Sequence, residues 1–95
     1  MSDVRNNEER SRYELVEQGH LAFSAYEIHG EVITFTHTVV SPSLQGMGIG
    51  SRLIVGALSD VRSRGLKVRA QCPFVAAYIA KHPEWQDLLV QVANP

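Results

Sequence analysis

The amino-acid sequence predicts an α+β domain with a mixed, mostly antiparallel sheet, one parallel strand–helix–strand crossover and two main helices. Its first 40 residues alternate between apolar and polar side chains, which is typical of strands. From Ile49 onward the apolar residues recur at the spacing of one helical face. With 95 residues the chain has room for one hydrophobic core, so we expect a single domain over residues 1–95.

Antiparallel strands make up the first part of the predicted fold. Their ranges are 12–17, 20–28 and 31–40, with a short edge strand at 3–7. The pairs Gln18-Gly19 and His29-Gly30 separate the main strands as turns, and the second pair favours a hairpin. The third main strand is rich in Val, Ile and Thr, whose branched side chains favour extended backbone.

Helices dominate the second half of the chain. The apolar face of the first helix consists of Ile49, Leu53, Ile54, Ala57, Leu58 and Val61. Gly65 is predicted to follow this helix as its C-terminal stop, and a short strand at 66–71 then pairs parallel with the third strand through a right-handed crossover. A second helix is predicted between Pro73 and Pro83, and residues 85–90 fold back onto the core.

Composition and charge exclude several classes of function. The single cysteine, Cys72, rules out an internal disulfide, and the four histidines lack metal-binding spacing, so no metal is predicted. The sequence has no long apolar segment and no N-terminal apolar h-region, which predicts a cytoplasmic protein without a membrane partner. The net charge of −1 argues against a general nucleic-acid binder.

A glycine-rich loop, Gln45-Gly46-Met47-Gly48-Ile49-Gly50, lies between the third strand and the first helix. Glycine lets the backbone approach a ligand closely, and the free N–H groups of a helix N-terminus attract phosphate. The Walker and dinucleotide-binding spacings are both absent, so those two kinds of site are excluded. Residues 41–95 have a net charge of +3 and residues 1–40 one of −4, which would also favour a polyanionic ligand near the loop. An ordinary glycine-rich turn and a chance scatter of charges remain open alternatives.

The loop resembles the acetyl-CoA loop of the GNAT acetyltransferase superfamily, Gln/Arg-x-x-Gly-x-Gly/Ala, at the start of the helix that follows a central strand. Other segments resemble one small, single-domain branch of that superfamily, over about residues 12–90. In order, they are His37-Thr38 followed by Val40, Gly65-Leu66-Lys67-Val68, Cys72-Pro73-Phe74-Val75 with Tyr78, and His82-Pro83-Glu84-Trp85. The Cys-Pro segment makes the resemblance more specific than the loop alone.

The resemblance implies an acetyl-CoA-dependent N-acetyltransferase that acts on a primary amine, a protein lysine being one candidate. In the superfamily the loop amides bind pyrophosphate, the pantetheine lies between two splayed parallel strands, and a backbone N–H polarises the thioester. The residues implied to contact acetyl-CoA are Val39, Val40, Gln45, Gly46, Met47, Gly48, Ile49, Gly50, Ser51, Pro73 and Tyr78. The chain departs from the pattern in two ways. It lacks room for two helices that help form the acceptor site in larger members, and Val39 stands where many relatives in the branch have Glu.

Two residues are predicted to take part in catalysis. Cys72 precedes a helix, whose dipole can lower the pKa of a thiol, so it could relay the acetyl group. A small residue filling the strand–helix junction is the alternative. His37 is predicted to share a strand face with Ile33, Phe35 and Val39, either as a general base or as a core residue.

Three functions stay open on the sequence alone. The first is the N-acetyltransferase, in which Tyr78 either protonates the leaving thiolate or only packs in the core. The second is a CoA-binding module with little catalysis, which Val39 and the missing acceptor-side helices favour. The third is a phosphate-binding interaction domain unrelated to CoA.

Overall fold

The computed structural model describes residues 3–90 as a five-stranded sheet with two α-helices. In chain order the elements are β1 (Arg5–Asn7), β2 (Arg12–Glu17), β3 (His20–His29), β4 (Val32–Val40), a 3₁₀ turn (Pro42–Leu44), α1 (Ile49–Ser63), β5 (Lys67–Ala70), α2 (Pro73–Lys81) and a 3₁₀ segment (Pro83–Leu88). The strands lie in sequence order across the sheet, antiparallel from β1 to β4 and parallel between β4 and β5. The predicted fold class is therefore confirmed.

Helix α1 ends at Ser63 with Arg64 as its C-cap, so Gly65 follows the helix as the predicted stop. Gly65 has a left-handed φ of +71°, which ends the helical backbone, and its N–H bonds the carbonyl of Arg62 at 3.1 Å. The N–H of Leu66 bonds the carbonyl of Val61 at 3.2 Å. This pair of bonds is a Schellman motif, in which a glycine follows the helix C-cap.

The hydrophobic core lies between α1 and one face of the sheet. Its largest fully buried side chains include Tyr13, Leu15, Ile33, Phe35, Leu53, Ile54 and Leu58. Residues 83–90 close one end of this core, because Leu88 is buried, Trp85 and Leu89 pack against it, and the N–H of Val90 bonds the carbonyl of Val68. The predicted return of residues 85–90 to the core is confirmed.

A β-bulge in β4 changes which side chains face the core. Ala25 of β3 lies opposite His37 and the next residue, Tyr26, lies opposite Phe35, so Thr36 is the extra residue. One extra residue reverses the alternation of side chains beyond it. Phe35 therefore faces the core, whereas His37 and Val39 lie on the exposed face. The prediction that His37 shares a face with Ile33 and Phe35 is wrong for this reason, although its shared face with Val39 is correct.

Tyr13 gives the fold a pH-dependent contact. Its hydroxyl donates a 2.6 Å hydrogen bond to Asp60 Oδ2 on α1. Burial, followed by the hydrogen bond to Asp60 and the charge of that carboxylate, raises the pKa of Tyr13 far above its ordinary range. A tyrosine in the unfolded chain ionises near pH ~10. Because the folded state holds the proton more tightly, this contribution to stability is complete below pH ~10 and decreases as the pH rises further.

We expect Tyr13→Phe to lower the free energy of unfolding by about 1.5–3 kcal/mol at neutral pH, the usual value of a hydrogen bond to a charged group. The difference from the wild type should shrink above pH ~10, where unfolding of the wild type releases the Tyr13 proton. Urea unfolding at several values between pH 7 and 11 measures both effects. A difference that stays constant over this range would contradict the assignment.

Candidate functional site

The site lies where β4 and β5 part. Their parallel pairing runs from Val32 opposite Lys67 to Phe35 opposite Ala70. The carbonyl of Phe35 then accepts the N–H groups of both Gln71 and Cys72, at 3.1 and 2.9 Å, and the chain turns away into α2. Residues 36–40 of β4 continue without a partner on that side among the described strands. The result is an open strand edge at the carboxyl end of the parallel pair.

The bulge determines which backbone groups this open edge presents. The N–H of Tyr26 bonds the carbonyl of Ser11, so Ala25 and Phe23 direct their backbone groups toward β4. Their opposite residues, His37 and Val39, return these bonds. The backbone groups of Thr38 and Val40 consequently point to the open edge. Of the two predicted backbone donors, Val40 therefore lies at the open edge and Val39 pairs with β3.

The glycine loop lies beside this edge. Gly48 is the N-cap of α1, with a left-handed φ of +71° that an L side chain adopts only with strain. The first bond of α1 runs from the N–H of Arg52 to the carbonyl of Gly48. Within residues 3–90 nothing accepts the N–H groups of Gly48, Ile49, Gly50 or Ser51. These free donors and the positive end of the helix dipole form an anion site.

Gln45 and Met47 are less available to a ligand than their neighbours in the loop. The N–H of Met47 already donates to the carbonyl of Leu44 at 3.3 Å, and that of Gln45 donates to Pro42 at 3.3 Å. Gln45 also reaches the carbonyl of Val40 through Nε2, at 3.4 Å. Gln45 therefore fastens the loop to the end of β4.

A cavity of about 370 Å³ joins the open edge to the loop. Its lining residues are Thr38, Val40, Leu44, Gln45, Gly46, Gly48, Ile49, Gly50, Ser51 and Phe74. Six of the loop residues predicted to contact acetyl-CoA are in this list, together with Val40, whereas Val39, Met47, Pro73 and Tyr78 are not. A Cβ on Gly50 would lie 2.6 Å from Cζ of Phe74, so the absence of a side chain at Gly50 lets the Phe74 ring pack on the first turn of α1.

Cys72 lies directly behind the cavity. It is the N-cap of α2, as predicted, but its side chain is only 2% exposed and the cavity lining does not include it. Its Sγ lies 3.3 Å from Oγ1 of Thr38, which in turn lies 2.9 Å from Oγ of the buried Ser24. Thr38 therefore connects the thiol to the cavity.

The other two predicted chemical groups lie on either side of this cavity. His37 is exposed on the opposite face of the sheet, with its ring edge-on to Phe23 and Nδ1 3.3 Å from Oγ1 of Thr36. Tyr78 is half-buried on α2, and its ring stacks on that of His82 at 3.9 Å. Burial and the charge of Glu84 raise the pKa of Tyr78, so its phenol holds its proton at neutral pH. His82 follows α2 as its C-cap.

Two further findings concern metals and membranes. Residues 3–90 contain no group of three or more His, Cys, Asp or Glu side chains placed to hold a metal ion. No helix in the same part of the chain is long and apolar enough to span a membrane.

The sequence model of one protein family, described as GCN5-related N-acetyl-transferase, matches residues 12–88. The chain belongs to the GCN5-related N-acetyltransferase family. Its fold is also similar to the solution structure of a GCN5-like protein from Staphylococcus aureus, with a TM-score of 0.72 and 25% sequence identity over 99% of this chain and 95% of that chain. No curated protein matches significantly.

Membership of the GCN5-related N-acetyltransferase family makes the chain an N-acetyltransferase by enzyme class. The family generally uses acetyl-CoA, which fits a site with free loop amides beside an open strand edge. The side chains of two residues line the cavity although the sequence did not predict them as site residues. Thr38 and Phe74 both occur in segments that carried the family resemblance, but the sequence pattern alone does not indicate which way either side chain points.

Proposed function

We propose that this protein binds acetyl-CoA in the cavity between the glycine loop and β4, and transfers the acetyl group to a primary amine. The observation that carries the proposal is the open edge of β4 beside four unused amides at the start of α1. The open edge of β4 can pair with an extended, amide-containing chain, and the free amides of α1 can bind an anion. Pantetheine and pyrophosphate are the corresponding parts of acetyl-CoA.

In this proposal the N–H groups of Gly48, Ile49, Gly50 and Ser51 bind the pyrophosphate oxygens, as charge-assisted hydrogen bonds. The pantetheine lies along β4, where Thr38 offers a backbone donor and acceptor and Val40 offers a backbone donor. One of these N–H groups then polarises the thioester carbonyl and stabilises the oxyanion that forms on it. Acetyl-CoA is a substrate here, consumed in each turnover.

The chemistry requires a neutral amine. Its nitrogen attacks the thioester carbon, a C–N bond forms, the C–S bond breaks, and the thiolate leaves and takes up a proton while the amine loses one. His37 is the proposed base, since it lies next to the bulge on the face of the sheet that the core leaves free. Tyr78 is the proposed proton source for the thiolate, since its phenol is protonated at neutral pH and it lies on α2, the helix whose N-cap is Cys72.

Turnover tests this function directly. We expect the wild type to release free thiol from acetyl-CoA only when a primary amine is present, with a product heavier by one acetyl group. A panel of lysine peptides and small diamines, read out by a thiol reagent and by mass spectrometry, covers the acceptor class. Saturable CoA binding without turnover across the panel would instead support the CoA-binding module, which the lack of a carboxylate at Val39 favours.

Cys72 is proposed to position Thr38, because a thiol that is 2% exposed and contacts Thr38 is better placed to orient a hydroxyl than to attack a ligand. Cys72→Ala should lower the rate by no more than about tenfold, the effect of one lost hydrogen bond. Cys72→Ser, whose hydroxyl can keep the bond to Thr38, should restore it. An acetylated Cys72 in wild type given acetyl-CoA alone, with both variants inactive, would instead support the acyl relay.

A further inference from the structure

Three side chains form a hydrogen-bonded chain behind the cavity: Ser24 of β3, Thr38 of β4 and Cys72 at the start of α2. Thr38 Oγ1 lies 2.9 Å from Ser24 Oγ and 3.3 Å from Cys72 Sγ. Ser24 is 0% exposed and Cys72 is buried, whereas Thr38 lines the cavity. Of the three, only Thr38 is therefore open to a ligand in the cavity.

The direction of these hydrogen bonds follows from burial. Within residues 3–90 the hydroxyl of Ser24 has Thr38 as its only partner, and its complete burial keeps water away. A buried donor without an acceptor costs free energy, so Ser24 donates its proton to Thr38 Oγ1. The same reasoning directs the weaker S–H donor of Cys72 to Thr38.

Thr38 consequently has its own proton to offer to a ligand. A threonine hydroxyl has two lone pairs and one proton, and Ser24 and Cys72 occupy both lone pairs. Neither neighbour can then accept the Thr38 proton, so the hydroxyl donates into the cavity. Because its oxygen accepts two hydrogen bonds, polarisation along the chain makes this hydroxyl a stronger donor.

Thr38 lies at the inner end of the cavity. It is the first residue with its side chain on the core side of β4 after the carbonyl of Phe35 ends the pairing with β5. The α1 amides that are proposed to bind pyrophosphate lie toward the loop, so the acyl end of acetyl-CoA reaches Thr38. The apolar side chains of Val40, Leu44 and Phe74 line the same space and would solvate a thiolate poorly.

We infer that the Thr38 hydroxyl donates a hydrogen bond to the departing thiolate of CoA, and that Ser24 is the positioning residue that turns this hydroxyl toward it. The inference rests on the proposed function, because it needs the acyl end of acetyl-CoA at Thr38. As the C–S bond breaks, its electron pair stays on sulfur, and Thr38 stabilises this charge while keeping its own proton. Tyr78 remains the source of the proton that the thiolate then takes up.

The ionisation of the thiol of bound CoA tests the role of Thr38 without an acceptor amine. The ultraviolet absorbance of the thiolate is followed against pH as the difference between complexes with CoA and with desulfo-CoA, in which hydrogen replaces the thiol. Thr38→Val should raise the pKa of the bound thiol by about one to two pH units, the effect of losing a hydrogen bond to a charged group. Thr38→Ser, which keeps the hydroxyl, should keep the low pKa.

Thr34→Val is the matched control for Thr38→Val. It makes the same substitution on the same strand, at a residue that lies opposite Arg69 of β5 and outside the cavity lining. We expect the pKa of the bound CoA thiol to stay at its wild-type value. An equal rise in both variants would trace the effect to β4 as a whole and overturn the role of Thr38.

Ser24→Ala tests the positioning role. Without the Ser24 proton, Thr38 can turn its hydroxyl toward Cys72 Sγ, so the pKa of the bound CoA thiol should rise, but less than in Thr38→Val. Because Ser24 acts through Thr38, adding Ser24→Ala to Thr38→Val should raise it no further. Ser24→Ala leaves no buried donor without a partner, so it also tests the inference if Thr38→Val does not fold.

The outcomes separate this inference from the proposed function. An unchanged pKa of the bound thiol in Thr38→Val, with CoA still bound, would overturn the role of Thr38 and leave the CoA site intact. Additive effects of Ser24→Ala and Thr38→Val would overturn the positioning role of Ser24. Failure of wild type to bind either CoA or desulfo-CoA would overturn the proposed function itself, and the inference with it.

Discussion

Gly48→Trp is expected to abolish CoA binding while the fold persists. Gly48 lines the cavity at the first turn of α1, and an indole there would cover the free amides that are proposed to bind pyrophosphate. Losing two charge-assisted hydrogen bonds, at about 1.5–3 kcal/mol each, weakens binding by at least ~100-fold. Calorimetric titration of CoA into the wild type and the variant measures this loss. The left-handed φ at Gly48 adds a cost in stability of about 1–2 kcal/mol.

Gly30→Trp is the matched control for this experiment. Gly30 also has a positive φ, +61°, and a Cβ there would also meet nothing within 4 Å. It lies in the turn before β4, at the opposite end of that strand from the cavity. Both variants should therefore lose similar stability, but only Gly48→Trp should lose CoA binding. Normal binding by Gly48→Trp would rule out the α1 amides as the anion site.

Phe35→Ala is expected to cost the most stability, about 3–5 kcal/mol, because it removes a fully buried aromatic ring. The ring packs against Tyr13 and Tyr26, with centroids 6.1 and 6.4 Å away. A domain of this size has a total stability of about 5–15 kcal/mol, so the variant should be close to unfolding. Urea unfolding followed by circular dichroism measures the change.

The control is Phe23→Ala, which truncates the same side chain on the other face of the sheet. Phe23 is only partly buried and contacts Arg12 and the edge of His37. We expect it to cost about 1 kcal/mol, as for substitutions outside a core. Equal costs for the two variants would contradict the assignment of the core to the α1 side of the sheet.

The sequence alone predicted the order of the elements and most of their bounds. The strand at 12–17 and the start of α1 at Ile49 are correct to the residue, because each is determined by local patterns: period-two alternation, and a helical face that begins after glycines. The glycine loop and its resemblance to an acetyl-CoA loop were also local, so they led to the family before any geometry was known. A motif made of consecutive residues can be recognised in the sequence without knowledge of the tertiary structure.

Only the tertiary structure decided which residues meet at the site. The bulge at Thr36 turns His37 away from Phe35 and brings Thr38 to the cavity, and no residue in the sequence of β4 marks it. The burial of Cys72 and the packing of Phe74 on Gly50 depend on α2 meeting α1 and β4 from distant parts of the chain. Local patterns determine where helices and strands form, whereas the direction of a side chain in the assembled domain depends on register and on contacts that no short segment contains.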